Sequence, residues 1–372
     1  MTWTRFDLFY NGDSYFEKLI ESINQAQKEI LFEVYIFDLD SVGNSVMEAL
    51  KNAAGRGVRV LLSVDGIGSF YYLEGLAKTA ADAGIRFKAY HSLPLKPQFF
   101  PLLFRWKLWA HLSNFFSHVN KRNHRKLIVI DEMHAFVGSR NITQFHSERS
   151  MGEKAWRDTS ALLEGPEVSL LRDAFLSTWG EKPTHFTKRA LASRDVLINS
   201  KRKTRKKLQK NLLFHIRNAK KRIYITNAYF VPHRSLVRAL KKAAANKNID
   251  VCLLLPAISD IQLLLLLSRA FYSGLLKAGV KVFQYEKSVL HAKTMLIDDR
   301  ASLGSFNFNH RSLIHDLEIV VLNNNPEVVQ QFERQWEEDL SYSHLVNAKI
   351  LADRSFIEKS GAWILYQLRY WL

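Results

Sequence analysis

The 372-residue chain contains the same ordered series of segments twice. The first copy includes ILFEVYIF, VMEALKNAAGRG and HRKLIVID, and the second includes IYITNAYF, LVRALKKAAANK and HAKTMLID. In both copies the last segment is followed by Gly-Ser-x-Asn, and each series closes near a tryptophan, Trp179 or Trp336. An internal repeat of this kind indicates a duplicated structural unit. We therefore predict two similar halves, residues 1–182 and 183–372, packed about a pseudo-twofold axis.

Helical and strand patterns alternate within each half. Asp13 or Ser14 is a candidate N-cap for a helix with an apolar stripe at Phe16, Leu19 and Ile23, and the apolar strand ILFEVYIF follows it. A second amphipathic helix and the strand VRVLLSVD come next. Strands separated by helices favour an α/β architecture in which helices cover a largely buried sheet.

The first half carries an insertion that the second half lacks, at residues 93–120. It combines Phe, Leu and Trp with isolated cations, a composition typical of segments at a membrane interface. We predict that it contacts a membrane through Phe99, Phe100, Phe104, Trp106 and Trp109; packing over the other half is the alternative. The C-terminal SFIEKSGAWILYQLRYWL has a similar amphipathic composition, with core packing as the equal alternative.

The chain is strongly basic, with 53 Lys and Arg against 36 Asp and Glu. This charge, concentrated in SKRKTRKKLQK from Ser200, suits a polyanion, either anionic lipid head groups or nucleic acid. The single cysteine, Cys252, excludes an intrachain disulfide and is expected to be buried. The N-terminus lacks the apolar stretch of a signal peptide, and no apolar run is long enough to span a membrane. We expect a peripheral protein on the cytoplasmic side of the cell membrane.

The segment HRKLIVID places His124 and Lys126 two residues apart on an apolar strand, so both project to one face. Asp131 stands at the strand end. His291, Lys293 and Asp298 repeat this arrangement in HAKTMLID. A lysine beside each histidine disfavours a metal site, because an ammonium has no lone pair to donate, and suits the phosphate of a diester. Further neutral donors for the phosphate oxygens are expected from the Gly-Ser-x-Asn turns, at Ser139, Asn141, Ser305 and Asn307.

Two copies of His-x-Lys, four residues and Asp, each followed by Gly-Ser-x-Asn, resemble the phospholipase D superfamily. Within it the chain most resembles bacterial cardiolipin synthases of the form without N-terminal spanning helices, and YFVPH, PAISD and GSFNFNHRS support this. The resemblance implies α/β/α sandwich halves with one shared active site and no cofactor. Two differences stand out: GSRNITQFH in the first half does not match GSFNFNHRS, and His233 of YFVPH occupies a position where the synthases have Asp.

The resemblance also implies a reaction in two displacements. One histidine attacks phosphorus to form a phosphohistidine, while the other protonates the leaving alcohol and then activates the incoming one. The motif residues of both halves are expected at this site, with Asp131 and Asp298 supporting local structure or histidine charge. Asp158 and Glu318, which align across the repeat, are expected to orient the histidine of the opposite half.

Three classes of function fit these observations: an enzyme on membrane lipids, a phospholipase D-like nuclease, and a binding protein without activity. A binder has no need to retain both catalytic motifs. The aromatic insertion favours lipids over nucleic acid, so we predict a phosphatidyltransferase making cardiolipin or a related phospholipid. A hydrolase of the phospholipase D type and a nuclease remain the alternatives, and the sequence leaves the acceptor alcohol open. No obligate protein partner is expected.

Overall fold

The computed structural model describes residues 2–92 and 120–347. Phe99, Phe100, Phe104, Trp106 and Trp109, predicted to contact the membrane, and the C-terminal segment from residue 348 lie outside this range. Within the described residues no helix is both long and apolar enough to cross a membrane.

Two sheets, one in each half, form the framework. The strands of the first sheet are β1 (Arg5–Phe9), β2 (Glu29–Val34), β3 (Arg59–Asp65), β4 (Arg86–Tyr90), β5 (Leu127–Ile130), β6 (His134–Gly138) and β7 (Ser160–Glu164). The strands of the second sheet are β8 (Val196–Asn199), β9 (Arg222–Asn227), β10 (Asp250–Pro256), β11 (Lys281–Tyr285), β12 (Lys293–Ile297), β13 (Arg300–Gly304), β14 (Glu318–Asn323) and β15 (Ser343–Leu345).

The order of strands repeats between the halves. The first sheet runs β1-β7-β6-β5-β2-β3-β4, and the second runs β8-β14-β13-β12-β9-β10-β11 with β15 added at the edge. In each half three parallel strands (β2-β3-β4 or β9-β10-β11) are joined to an antiparallel strand that follows a catalytic-motif histidine (β5 or β12). The two-half α/β fold predicted from the duplicated sequence is therefore confirmed.

Helices connect and cover these strands. In residues 2–182 they are Gly12–Gln25, Ser41–Gly55, Leu73–Asp82, Glu148–Met151 and Val168–Trp179. In residues 183–347 they are Phe186–Ala192, Arg202–Asn218, Arg234–Ala244, Gln262–Ala270, Tyr272–Leu276, His310–Ile314 and Pro326–Ser341. The predicted N-cap of the first helix, Asp13 or Ser14, was wrong by two or three residues: Asn11 is the N-cap, and its side chain accepts a hydrogen bond from the amide of Ser14.

The two halves share one hydrophobic core. Its buried residues come from both sheets, for example Val129 of β5 and Leu303 of β13, and from the helices that contain Phe175 and Phe332. Separate clusters fill the other face of each sheet beneath its helices. Because a shared core fixes the two halves relative to each other, side chains at their junction are held in defined positions.

Candidate active site

Backbone hydrogen bonds between the halves place the two histidines. The amide of His124 donates to the carbonyl of Leu317 at 3.2 Å, and the amide of His291 donates to the carbonyl of Arg157 at 2.8 Å. The carbonyl acceptor in each case is the residue directly before a predicted orienting carboxylate, Glu318 or Asp158. Each of these hydrogen bonds between the halves therefore positions a histidine of one half next to a carboxylate of the other.

Each histidine contacts the carboxylate of the opposite half. Nδ1 of His291 lies 2.7 Å from Oδ2 of Asp158, and Nδ1 of His124 lies 3.1 Å from Oε1 of Glu318. All four side chains are buried, and both histidines line one pocket with a volume of about 350 Å³. The contacts expected from the repeat are present. They hold Nδ1 of each ring, which leaves Nε2 as the nitrogen able to react.

The two histidine–carboxylate pairs differ electrostatically. Burial raises the pKa of Asp158, but the adjacent His291 outweighs this and holds the pKa well below its usual value. Burial and then the nearby Asp316 raise the pKa of Glu318 to about 8. Burial and the neighbouring lysine lower the pKa of both His124 and His291. At neutral pH the pair of His291 and Asp158 therefore carries the charge of its carboxylate, whereas the pair of His124 and Glu318 is largely neutral.

Lys126 and Lys293 lie beside the histidines. Each ammonium donates to the carbonyl of the histidine two residues before it, at 2.8 Å, and Nζ of Lys293 lies 3.3 Å from Nε2 of His291. Burial and the second lysine lower the pKa of Lys126 to about 7, and burial lowers that of Lys293 to about 8. Lys293 lowers the pKa of Lys126 because the two buried cations repel each other, so a bound anion relieves an existing electrostatic cost.

The predicted phosphate donors separate into two groups. Asn141 and Asn307 line the pocket, and the buried Oδ1 of Asn307 has no hydrogen-bond partner among the described residues. Ser139 and Ser305 were expected to bind phosphate oxygens, but their hydroxyls donate to Asp158 and Glu318 instead. The serines therefore fix the orienting carboxylates, which was not apparent from the turn sequence.

The motif aspartates lie away from the histidines, at the far ends of β5 and β12. Asp131 accepts hydrogen bonds from the amides of Gln27, Lys28 and Glu29 at 2.8 to 2.9 Å. Asp298 accepts from the amides of residues 220–222 in the same way. Both have a positive φ, 53° and 50°. They join the turn after the strand to the start of the neighbouring strand, and neither lines the pocket of the histidines.

A third histidine was missed from the sequence. Nδ1 of His146 lies 3.6 Å from Oδ2 of Asp158 and has no hydrogen-bond partner among the described residues. His146, Asp158 and His291 could together hold a metal ion by their spacing. The signal was the mismatch between GSRNITQFH and GSFNFNHRS, because His146 aligns with Ser312.

The other residues missed form the pocket wall. They come from both halves and are polar or aromatic: Tyr35, Arg122, Trp156, Tyr229, Asp260, Arg311 and Asp316. The ammonium of Lys126 lies 5.0 Å from the ring centre of Tyr35, and that of Lys293 lies 5.8 Å from Tyr229. The matched tyrosines at ILFEVYIF and IYITNAYF were the available sequence signal, since they recur at the same point of each repeat.

The family described as "Cardiolipin synthase, PLD-like domain" matches residues 19–179 and again residues 212–340. A cardiolipin synthase of Clostridium perfringens is 30% identical over 96% of this chain and 75% of its own length. One of Geobacillus kaustophilus is 30% identical over 93% of this chain and 68% of its own. A crystal structure of phosphatidylserine synthase from Haemophilus influenzae has the same fold, with a TM-score of 0.70 at 13% identity, covering 98% of this chain and 93% of its own. The chain belongs to the cardiolipin synthase family of PLD-like proteins.

Proposed function

We propose that the protein is a phosphatidyltransferase that makes cardiolipin or a related phospholipid. The observation that carries the proposal is the pair of buried histidines in one pocket, each held at Nδ1 by a carboxylate from the other half. Two such histidines, with a buried lysine beside each, supply the groups that a two-step transfer of a phosphodiester needs. Family membership makes a phospholipid the natural substrate, and it does not favour the nuclease alternative.

The reaction proceeds in two displacements at phosphorus. Nε2 of one histidine forms a bond to phosphorus as the bond to the departing alcohol oxygen breaks, and the other histidine gives that oxygen its proton. The second histidine then takes the proton of the incoming hydroxyl, whose oxygen forms a new bond to phosphorus as the phosphorus–nitrogen bond breaks. Lys126, Lys293, Asn141 and Asn307 stabilise the charge on the remaining oxygens. The bonds and protons of both displacements balance without a cofactor.

The rim of the pocket supports a lipid substrate. Ile67 and Gly68 line the pocket on one side and lead directly to Phe70 and Tyr71, whose side chains are exposed. The matching loop of the other half has exposed Ile258 and Ile261, and the helix after it exposes Leu266. Large apolar side chains exposed on both sides of a polar pocket suit an interface with acyl chains.

We place the protein at the cytoplasmic face of the membrane as a peripheral enzyme. The helix Arg202–Asn218 presents a basic surface, with exposed Arg202, Lys203 and Lys206 near its start. Basic residues at a membrane surface contribute about 1 kcal/mol each in binding anionic lipid. This basic helix and the apolar rim of the pocket, Phe70, Tyr71, Ile258, Ile261 and Leu266, together support an anionic phospholipid membrane as the partner.

The test uses the purified protein with vesicles of phosphatidylglycerol and, separately, with single-stranded DNA, both in excess EDTA. We expect cardiolipin and glycerol in equal amounts from the vesicles, and intact DNA. Phosphatidic acid as the sole lipid product would identify a hydrolase, and DNA cleavage would identify a nuclease. Activity that EDTA abolishes and one divalent ion restores would instead assign a metal to His146, Asp158 and His291.

A further inference from the structure

The two walls of the active-site pocket differ although the sequence repeat is conserved around them. Tyr35 and Tyr229 occupy matching positions, each beside a catalytic-site lysine. The hydroxyl of Tyr229 donates to the carboxylate of Asp260, with 2.8 Å to Oδ1 and 2.7 Å to Oδ2. The loop beside Tyr229 therefore lines the pocket with a carboxylate, whereas the matching loop of the first half lines it with Ile67 and Gly68. The other carboxylate of the lining, Asp316, is paired with Arg311 at 3.3 Å.

Asp260 is placed to bind a ligand. Its side chain is exposed at the pocket mouth, and its other hydrogen bond comes from the hydroxyl of Ser259 at 3.3 Å. A carboxylate has about four acceptor positions, so it can accept further hydrogen bonds. The carboxylate also acts electrostatically on His291 and Lys293, which places it on their side of the reaction centre.

A carboxylate repels phosphate, so its ligand is the other part of the substrate, the alcohol. Hydroxyl groups donate to carboxylates, and an alcohol with a second hydroxyl can bind Asp260 while its first hydroxyl reacts. An ammonium head group fits less well, because the ring faces of Tyr35 and Tyr229, which could bind a cation, are already occupied by the two lysines. Arg311, which also lines the pocket, adds a further cation.

We propose that Asp260, positioned by Tyr229, forms a subsite for the alcohol, selective for alcohols with neighbouring hydroxyls such as a glycerol head group. The proposal rests on the transfer reaction proposed above. In that reaction the leaving and the incoming alcohol approach the same face of phosphorus, because both displacements pass through one phosphohistidine. One polyol subsite therefore serves the glycerol that departs and the glycerol head group that attacks.

The experiment measures binding of the acceptor alcohol independently of the alcohol that leaves the donor. A short-chain phosphatidyl ester of p-nitrophenol is the donor, since its leaving group has no hydroxyl to bind, and glycerol or ethanol is added as the acceptor. In Asp260→Asn we expect the KM for glycerol to rise about tenfold relative to any change for ethanol, because a hydrogen bond to a charged acceptor is lost. Tyr229→Phe should shift the same ratio in the same direction.

Asp299→Asn is the matched control. Asp299 is an exposed carboxylate whose partner is Lys221 at 3.6 Å, so its loss should leave the ratio of glycerol to ethanol unchanged. An unchanged ratio in Asp260→Asn would overturn the subsite, as would an equal rise for both alcohols. If Asp260→Asn raised the KM for ethanolamine and left the KM for glycerol unchanged, the site would bind a cationic head group, and the polyol assignment would be overturned. Wild-type protein that transfers to no alcohol would overturn the proposed function itself.

Discussion

Nδ1 of His291 in the second half donates a hydrogen bond to Asp158 of the first half, at 2.7 Å. The corresponding pair, His124 and Glu318, crosses the halves in the opposite direction at 3.1 Å. The site is therefore assembled from both halves, because His124 and His291 each contact a carboxylate of the opposite half. The two pairs nevertheless differ in charge, because the pKa of Asp158 is lowered and that of Glu318 is raised to about 8.

This difference predicts unequal effects of neutral substitutions. Asp158→Asn removes a carboxylate charge beside His291, and we expect kcat at pH 7 to fall about 10- to 100-fold, the range for groups that orient a functional histidine. Glu318→Gln resembles the protonated form of Glu318 that predominates at pH 7, so kcat should fall by a factor at least several times smaller than in Asp158→Asn. Steady-state kinetics on the two variants, with unchanged melting temperatures, test this. Equal losses would contradict the assigned charges.

Both histidines should be required for turnover. His124→Ala and His291→Ala each remove a nucleophile or a proton carrier, and we expect losses of at least about 100- to 10,000-fold. His233→Ala is a suitable control, because the exposed His233 caps a helix and lies outside the pocket lining. Near wild-type activity in either active-site variant would exclude the two-histidine mechanism.

The lysines predict a loss of activity at alkaline pH. Lysine carries charge below its pKa, so Lys126 at about 7 and Lys293 at about 8 become neutral as the pH rises through these values. We expect kcat/KM for a soluble phosphodiester to fall above about pH 8. Lys126→Arg is the informative variant, because arginine stays charged throughout this range. Its profile should fall less steeply; a profile with the wild-type slope would contradict a role for Lys126 charge.

Asp131 should matter for stability and not for chemistry. Asp131→Ala leaves three backbone amides without their acceptor, and we expect the free energy of unfolding to drop by about 1–3 kcal/mol. Burial raises the pKa of Asp131, but these amides outweigh it and lower the pKa overall. Its stabilisation is therefore present above the unfolded pKa of about 3.9 and is lost as the pH falls further. Denaturant titration at pH 7 and pH 3 tests both points, with activity per folded molecule retained.

The pocket rim should be needed only on membranes. We expect Phe70→Ser combined with Tyr71→Ser to reduce activity on vesicles several-fold while activity on a soluble short-chain phosphodiester persists, because less apolar surface is buried on docking. Met133→Ser is the control, since Met133 is 64% exposed at the opposite end of β5 from His124. Equal losses on both substrates would show that these side chains stabilise the pocket instead.

The sequence alone determined the duplication, the α/β class and the identity of the histidine–lysine pairs. These features are local: strand periodicity sets His124 and Lys126 on one face, and repetition shows that the pattern is not accidental. The pairing of Asp158 and Glu318 with the opposite histidines could also be anticipated, because the repeat aligned the two carboxylates.

Tertiary structure decided everything that depends on distance and burial. Only the three-dimensional structure shows that Ser139 holds Asp158 and that Asp131 accepts hydrogen bonds from the backbone at the start of β2. The pKa of Glu318 depends on its burial and on nearby Asp316, and neither can be read from its neighbours in sequence. Asp260 joins the site through the hydroxyl of Tyr229, 31 positions away along the chain. Such contacts arise when a shared core brings distant segments together, and sequence periodicity carries no information about them.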